Sequence, residues 1–233
     1  MTKGIHRARI VVDCILFDLD GTLYTSAEYS DRLESEILRY VSWKLRMPEG
    51  ECKQLLKDRR KRLGTLTRTL ASLNIDREQF FRDIAERVEV SQYLRRDAKV
   101  RLMLGELRRK GFKLALVSNS GRPLVLKILA AIGLGAELFD AIITSSDAEP
   151  KPSHASFKLA MVKLGCTAGD TVYVGDRIDS ELRPAHELGI STILVDRGKN
   201  DLSSRYVDLV LGDVTELPEV VRKEIDDTPS IAD

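Results

Sequence analysis

Asp18 and Asp20 stand one residue apart at the end of an apolar run and are followed at once by Gly21 and Thr22. Five of the six residues 11–16 are apolar or cysteine, and Phe17 extends them, as in a parallel strand buried on both faces. In an open α/β sheet the ligand crevice lies outside the carboxyl ends of the strands. Two acids placed there repel each other unless a cation or a shared proton offsets their charge. A hard cation with oxygen ligands is the economical solution, and Mg²⁺ is the common one where phosphate is also bound. The competing reading of this segment alone is an Asx turn, with Asp20 bonding its own backbone.

Three further groups fall where the same crevice is expected. Ser118 and Asn119 follow the apolar segment 113–117, and Asp176 follows 171–174 within a Gly175-Asp176 step. Lys151 lies between them in a loop flanked by Pro150 and Pro152, which stiffens the backbone and suits a side chain that must point one way. Singly, each has another explanation. Ser118 suits a helix N-cap, Lys151 a surface lysine, and Asp176 an ordinary strand-to-helix turn.

The elements that must position these residues are legible in the pattern. From 27 to 90 the chain is rich in Leu, Glu, Arg and Lys at helical spacing. Leu33, Ile37, Leu38 and Val41 form one stripe that Pro48 stops, and further helices are expected over 49–63, 66–73 and 77–90. From Asp97 the rhythm changes to alternating helix and strand: helices over 98–110, 122–132, 156–164 and 181–188, strands over 113–117, 141–144, 171–174, 191–195 and 208–211. Such alternation predicts an α/β fold, a parallel sheet with helices on both faces. The first strand belongs to that sheet, so a small all-helical segment interrupts the core after its first strand. The expected division is a core of 1–24 and 97–223, a helical cap of 25–96 and a loose polar tail of 224–233.

The sequence resembles the haloacid dehalogenase superfamily of phosphotransferases over roughly 11–211. Four signatures carry the resemblance in the expected order: Asp18-Leu19-Asp20-Gly21-Thr22, Ser118-Asn119, Lys151-Pro152, and Gly175-Asp176 with acids downstream. The resemblance implies a Rossmann-like core with a helical cap inserted after the first strand. It also implies roles. Asp18 would be the nucleophile that forms an aspartyl-phosphate. Asp20 would protonate the leaving oxygen and then activate water. Mg²⁺ would be held by the carboxylates of Asp18 and Asp176 and by the main-chain carbonyl of Asp20. Gly21, Thr22, Ser118, Asn119 and Lys151 would bind the phosphoryl group, with Lys151 offsetting charge on both Asp18 and phosphate. Where many relatives carry a second aspartate after Gly-Asp, this chain has Glu181, with Asp179 two residues earlier. Either acid could orient metal waters or Lys151. His154, in the lysine loop, is read as structural or solvated.

The implied activity is a Mg²⁺-dependent phosphatase acting on a small phosphorylated metabolite. Asp20 discriminates within the superfamily, because a dehalogenase has no use for a second acid. A phosphomutase shares all four signatures and stays open, as does a non-catalytic binding protein that keeps the fold. Residues 23–24, 37–41 and 63–66 are similar to the branch containing pyrimidine 5′-nucleotidases, which makes a nucleoside monophosphate a reasonable first substrate.

Composition is consistent with this reading. Of 233 residues, 43% are hydrophobic and 31% charged, with a net charge of +1, which gives no general reason to expect nucleic acid or membrane binding. The basic run 58–62 reads as a solvated helical face, although one of its arginines, or Arg68, could reach an anionic substrate group. Cys14, Cys52 and Cys166 are widely spaced and odd in number, so reduced thiols in a cytoplasmic protein are expected. The oligomeric state is not encoded in any pattern.

Overall fold

The computed structural model describes residues 10–198 and 202–223. The expected tail of 224–233 and the basic start of 1–9 lie outside the described residues. Two short strands come first among the described residues, β1 (Ile10–Val11) and β2 (Cys14–Phe17). Four helices follow: α1 (Ala27–Leu45), α2 (Glu49–Leu63), α3 (Leu66–Ser72) and α4 (Arg77–Arg87). The alternating part then runs α5 (Ala98–Arg109), β3 (Lys113–Val117), α6 (Arg122–Ile132), β4 (Ala141–Ile143), α7 (Ala155–Leu164), β5 (Thr171–Gly175), α8 (Arg183–Glu187), β6 (Ser191–Val195), β7 (Leu209–Leu211), α9 (Leu217–Val220) and β8 (Val221–Arg222).

Six strands form one parallel sheet in the order β4-β3-β2-β5-β6-β7. The chain lays β3 and β4 to one side of β2, then crosses back to lay β5, β6 and β7 on the other. Connections therefore reverse direction between β2 and β5, the topological switch at which open α/β sheets bind ligands. Register aligns the strand ends: Phe17 stands beside Leu116 on one flank and Val174 on the other. Asp18, Ser118 and Asp176 consequently leave the sheet along one edge.

Side-chain alternation sorts β2 between two cores. Ile15 and Phe17 join the apolar cluster that contains Val100, Leu104, Leu107 and Ile128 from α5 and α6. Cys14 and Leu16 join the cluster that contains Phe157 and Ala160 from α7 and Ala185 from α8. Helices thus cover both faces, and no helix of the described residues is long and apolar enough to cross a membrane.

The helical segment starts where Ser26 accepts a hydrogen bond from Tyr29 N–H as the N-cap of α1. Thr65 and Asp76 cap α3 and α4 in the same way, satisfying otherwise orphaned N–H groups. Of the expected stripe, Ile37 and Val41 are buried, while Leu33 and Leu38 pack against the cluster at its margin. The apolar core of these helices, including Tyr40, Leu70 and Phe80, is continuous with that of the sheet. Phe81 of α4 lies so close to the start of α6 that a Cβ on Gly121 would fall 2.4 Å from its Cβ.

The structure corrects several expectations. The first strand is broken at Asp13, so that β1 pairs with β8 in a separate two-stranded sheet. The helix expected over 181–188 begins instead with a π-helical turn, Ile178–Leu182, before α8. Cys14 and Cys166, expected to be unrelated, are neighbours with Cα atoms 6.6 Å apart. Their separation of 152 residues hides the packing of α7 against the sheet that brings them together. Cys52 is free and buried.

Candidate active site

At the carboxyl edge of the sheet, Asp18 is buried at the tip of β2 and Lys151 is buried beside it. The Lys151 ammonium donates to Asp18 Oδ1 at 2.6 Å, to the Tyr173 hydroxyl at 2.7 Å and to Glu181 Oε1 at 3.1 Å. Three acceptors use its three N–H bonds, which fixes the side chain although it projects from a loop. Asn119 holds that loop from the other side. Its Nδ2 donates to Lys151 O at 2.8 Å, and Lys151 N–H donates back to its Oδ1 at 2.8 Å. The Asn119 amide therefore serves the lysine loop, and its main-chain N–H is the group left to meet an anion.

Ser118 is buried at the end of β3, and its Oγ accepts from Ser120 N–H at 3.1 Å. It does not cap α6, whose N-cap is Gly121. Thr22 is fully buried, with no hydrogen-bond partner for its hydroxyl among the described residues. Gly21 spends its N–H on Tyr24 O at 2.9 Å. Its φ of +91° favours glycine, and a Cβ there would lie 2.2 Å from Asp176 Oδ2. The turn after Asp20 thus presses directly against the acid at the end of β5.

Carboxylate oxygens of Asp18, Asp176 and Glu181 lie within 4.8 Å of one another. Of the two acids left open by the sequence, Glu181 is the one in the cluster. Asp179 is 90% exposed and faces Arg183 at 3.9 Å. Within the π-helical turn Glu181 is buried, and a Cβ on Gly175 would lie 2.6 Å from its Oε2. One Glu181 oxygen, Oε2, is buried without a hydrogen-bond partner among the described residues, an arrangement that costs free energy unless something binds it. Clustered hard oxygen donors with an unspent carboxylate oxygen fit a divalent cation of the Mg²⁺ type.

Electrostatics of the cluster follow from crowding. Burial first, and then the Asp18 charge, push Asp20 up to about 6, against the opposing hydrogen bond from Tyr24. The same two causes push Glu181 up to about 8, against Lys151. Asp176 is raised by burial and by Asp18. Burial would lower Lys151, yet the adjacent Asp18 and Glu181 hold it above its ordinary value, so it is a cation. The carboxylates outnumber the cations that face them, and a bound metal ion would restore the balance.

Above the cluster opens a cavity of about 710 Å³, lined by Asp18, Asp20 and Asp176 on the sheet side and by residues of α1, α2 and α4 on the other. From the basic run, Arg60 reaches this cavity and donates to both oxygens of Glu34 at 2.6 and 2.7 Å. Arg68 faces Glu149 at 3.9 Å. His154 sits at the surface, 3.3 Å from Glu187. Sequence reasoning missed Tyr173, Tyr24 and Tyr29. Tyr24 O–H donates to Asp20 Oδ1, and Tyr29 lines the cavity with a buried hydroxyl lacking a hydrogen-bond partner among the described residues. For Tyr173 the signal was available: in a strand ending at Gly175, its position directs it to the face that carries the lysine loop.

Comparison with known proteins is consistent with this geometry. A family model described as haloacid dehalogenase-like hydrolase matches residues 15–195. The chain is 29% identical over 230 residues to a glyceraldehyde 3-phosphate phosphatase of Methanocaldococcus jannaschii, covering 89% of this chain and 96% of that one. It is 28% identical over 198 residues to a phosphoglycolate phosphatase of Pectobacterium atrosepticum, covering 80% and 81%. Among solved structures, a phosphatase from Thermococcus onnurineus shares the fold with a TM-score of 0.69 at 22% identity, covering 90% and 97%.

Proposed function

The chain belongs to the haloacid dehalogenase-like hydrolase family, and on that premise we propose that it is a Mg²⁺-dependent phosphatase of a small phosphorylated metabolite, working through a phosphoryl group held on Asp18. The observation that carries this reading is the junction of Asp18, Lys151, Asp176 and Glu181 beneath a cavity at the switch point of the sheet.

Asp18 attacks phosphorus, and Lys151 offsets the charge of both the nucleophile and the incoming phosphoryl oxygens. Ser118 and the main-chain N–H of Asn119 hold those oxygens as they become equatorial. Asp20 gives its proton to the leaving oxygen and then takes one from the water that cleaves the acyl phosphate. Its value near 6 lets it exist in both states close to neutrality. Asp18, Asp176 and the main-chain carbonyl of Asp20 would hold the metal, with Glu181 beside it. A bound Mg²⁺ supplies charge neutralisation for phosphate among these carboxylates. The helical segment closes over the cavity and excludes water, hinging near 25–26 and 95–97, where Ser26 Oγ now bonds Tyr93 O at 3.3 Å.

Similarity to phosphatases of glyceraldehyde 3-phosphate and phosphoglycolate supports a short-chain phosphomonoester as the substrate, ahead of the nucleoside monophosphates suggested by the helical segment. The test is phosphate release from a panel of two- and three-carbon phosphomonoesters, sugar phosphates and nucleoside monophosphates, each with Mg²⁺ and with EDTA. The expected result is metal-dependent release, greatest for the short-chain esters. A preference for nucleotides would overturn the substrate assignment, and metal-independent release would overturn the role of Mg²⁺.

A further inference from the structure

Asp20 is held by its own turn. Gly21 N–H donates to Tyr24 O at 2.9 Å, Leu23 N–H donates to Leu19 O at 3.1 Å, and Asp20 and Tyr24 form an isolated bridge. Four residues after the acid, the Tyr24 side chain returns to it, and its hydroxyl donates to Asp20 Oδ1. The Tyr24 ring is fixed in turn, edge-on to Tyr29 with centroids 6.1 Å apart. A phenol carries its proton near neutrality, so Tyr24 is the donor and Asp20 Oδ1 the acceptor.

We propose that Tyr24 is a positioning residue for the general acid: it occupies Oδ1 of Asp20, leaves Oδ2 as the oxygen that delivers the proton, and stabilises the carboxylate that proton transfer creates. This rests on the phosphatase reading above. In the first step, Asp18 forms a bond to phosphorus while the bond from phosphorus to the ester oxygen breaks. The electron pair of that bond passes to the leaving oxygen, which takes the proton from Asp20 Oδ2. Asp20 becomes a carboxylate, and the hydrogen bond from Tyr24 becomes a stronger, charge-assisted one as it does so. An interaction that strengthens along the reaction lowers the barrier.

The chemistry gives the proposal a particular signature. An alkoxide is a poor leaving group and depends on the acid, whereas an activated phenolate leaves with little help. The experiment compares Tyr24→Phe with wild type on glycerol phosphate and on an aryl phosphate carrying a nitro group, with Mg²⁺ present. The expected loss in kcat/KM, which reports transfer of the phosphoryl group to Asp18 and not the later hydrolysis common to both esters, is about ten- to hundredfold on the alkyl ester and distinctly smaller on the aryl ester. In an Asp20→Asn background the same substitution is expected to add no further loss on the alkyl ester, because Tyr24 acts through Asp20. Equal losses on both esters, no loss on either, or an undiminished effect in the Asp20→Asn background would overturn the proposal. Failure of the wild type to release phosphate from either ester would instead overturn the phosphatase reading itself, and with it the role of Tyr24. Circular dichroism and thermal melting of Tyr24→Phe separate these effects from a fold defect.

Discussion

Lys151 and Asp18, 133 residues apart in the chain, meet at 2.6 Å with both side chains almost wholly buried. A buried pair of this kind is weak evidence for stability, because desolvation offsets most of the attraction. Its worth lies in what removal of one partner leaves behind. Here that is Asp18 together with Glu181, which shares the same ammonium at 3.1 Å.

Lys151→Met should therefore cost stability as well as activity. Loss of the cation leaves buried carboxylates uncompensated, and the expected destabilisation is about 3 kcal/mol near pH 9, above the Glu181 value of about 8. Below pH 5 Glu181 is protonated, since its folded value lies near 8, and the loss should shrink. Chemical denaturation of both proteins at the two pH values checks the difference. An equal loss at both would show that Glu181 does not share the lysine charge.

Metal-free protein should lose stability as pH rises. Asp20 is raised from 3.8 to about 6 and Glu181 from 4.5 to about 8, so the folded chain holds protons that the unfolded chain has released. Their contribution is fully present below the unfolded values and is lost as pH climbs through about 6 and then about 8. Mg²⁺ replaces those protons as the source of positive charge. Thermal melting with EDTA and with Mg²⁺ should show a larger metal-induced rise in Tm at pH 8 than at pH 5. A rise independent of pH would place the metal away from these acids.

Glu181 and Asp179 should separate cleanly. Glu181 lies within the carboxylate cluster, whereas Asp179 is exposed. Glu181→Gln is expected to weaken Mg²⁺ binding by about tenfold or more, read from the Mg²⁺ concentration that gives half-maximal activity. Asp179→Asn should leave that concentration within about twofold, the ordinary result for a surface change away from the site. A reversed order would assign the inner role to Asp179.

Gly21→Ala tests the close approach of the two strand ends. The residue has a φ of +91°, and the added methyl would lie 2.2 Å from Asp176 Oδ2. Displacement of that carboxylate should abolish metal-dependent activity while the sheet and its helices stay folded. Activity within a few-fold of wild type would mean that the Asp176 position is not required.

Sequence was a good guide wherever the cause is local. Asp76 marks the start of α4, Gly133 the end of α6, and the apolar runs 113–117 and 191–195 mark β3 and β6 to the residue. The acids and the lysine could be assigned to one crevice because strand ends in a parallel sheet converge. What escaped depends on distant parts of the chain or on side-chain direction. β1 and β8 are two residues each, too short to carry a period, and pair across almost the whole described chain. The sequence left Asp179 and Glu181 equally open, because which of them is buried depends on side-chain direction in the π-helical turn 178–182. Asn119 reads as a phosphate ligand until its amide is seen to be engaged by Lys151. Tyr24 looks like one more apolar residue after Gly-Thr-Leu until its hydroxyl meets Asp20.

Asp18 is proposed to carry the phosphoryl group in a metal-dependent reaction. The most direct test of that role is the rate of phosphate release from a nitro-substituted aryl phosphate by the wild type and by Asp18→Asn, each with Mg²⁺ and with EDTA. Release is expected from the wild type with Mg²⁺ alone, and none above background from a folded Asp18→Asn protein. Metal-dependent release that persists in Asp18→Asn would contradict that role.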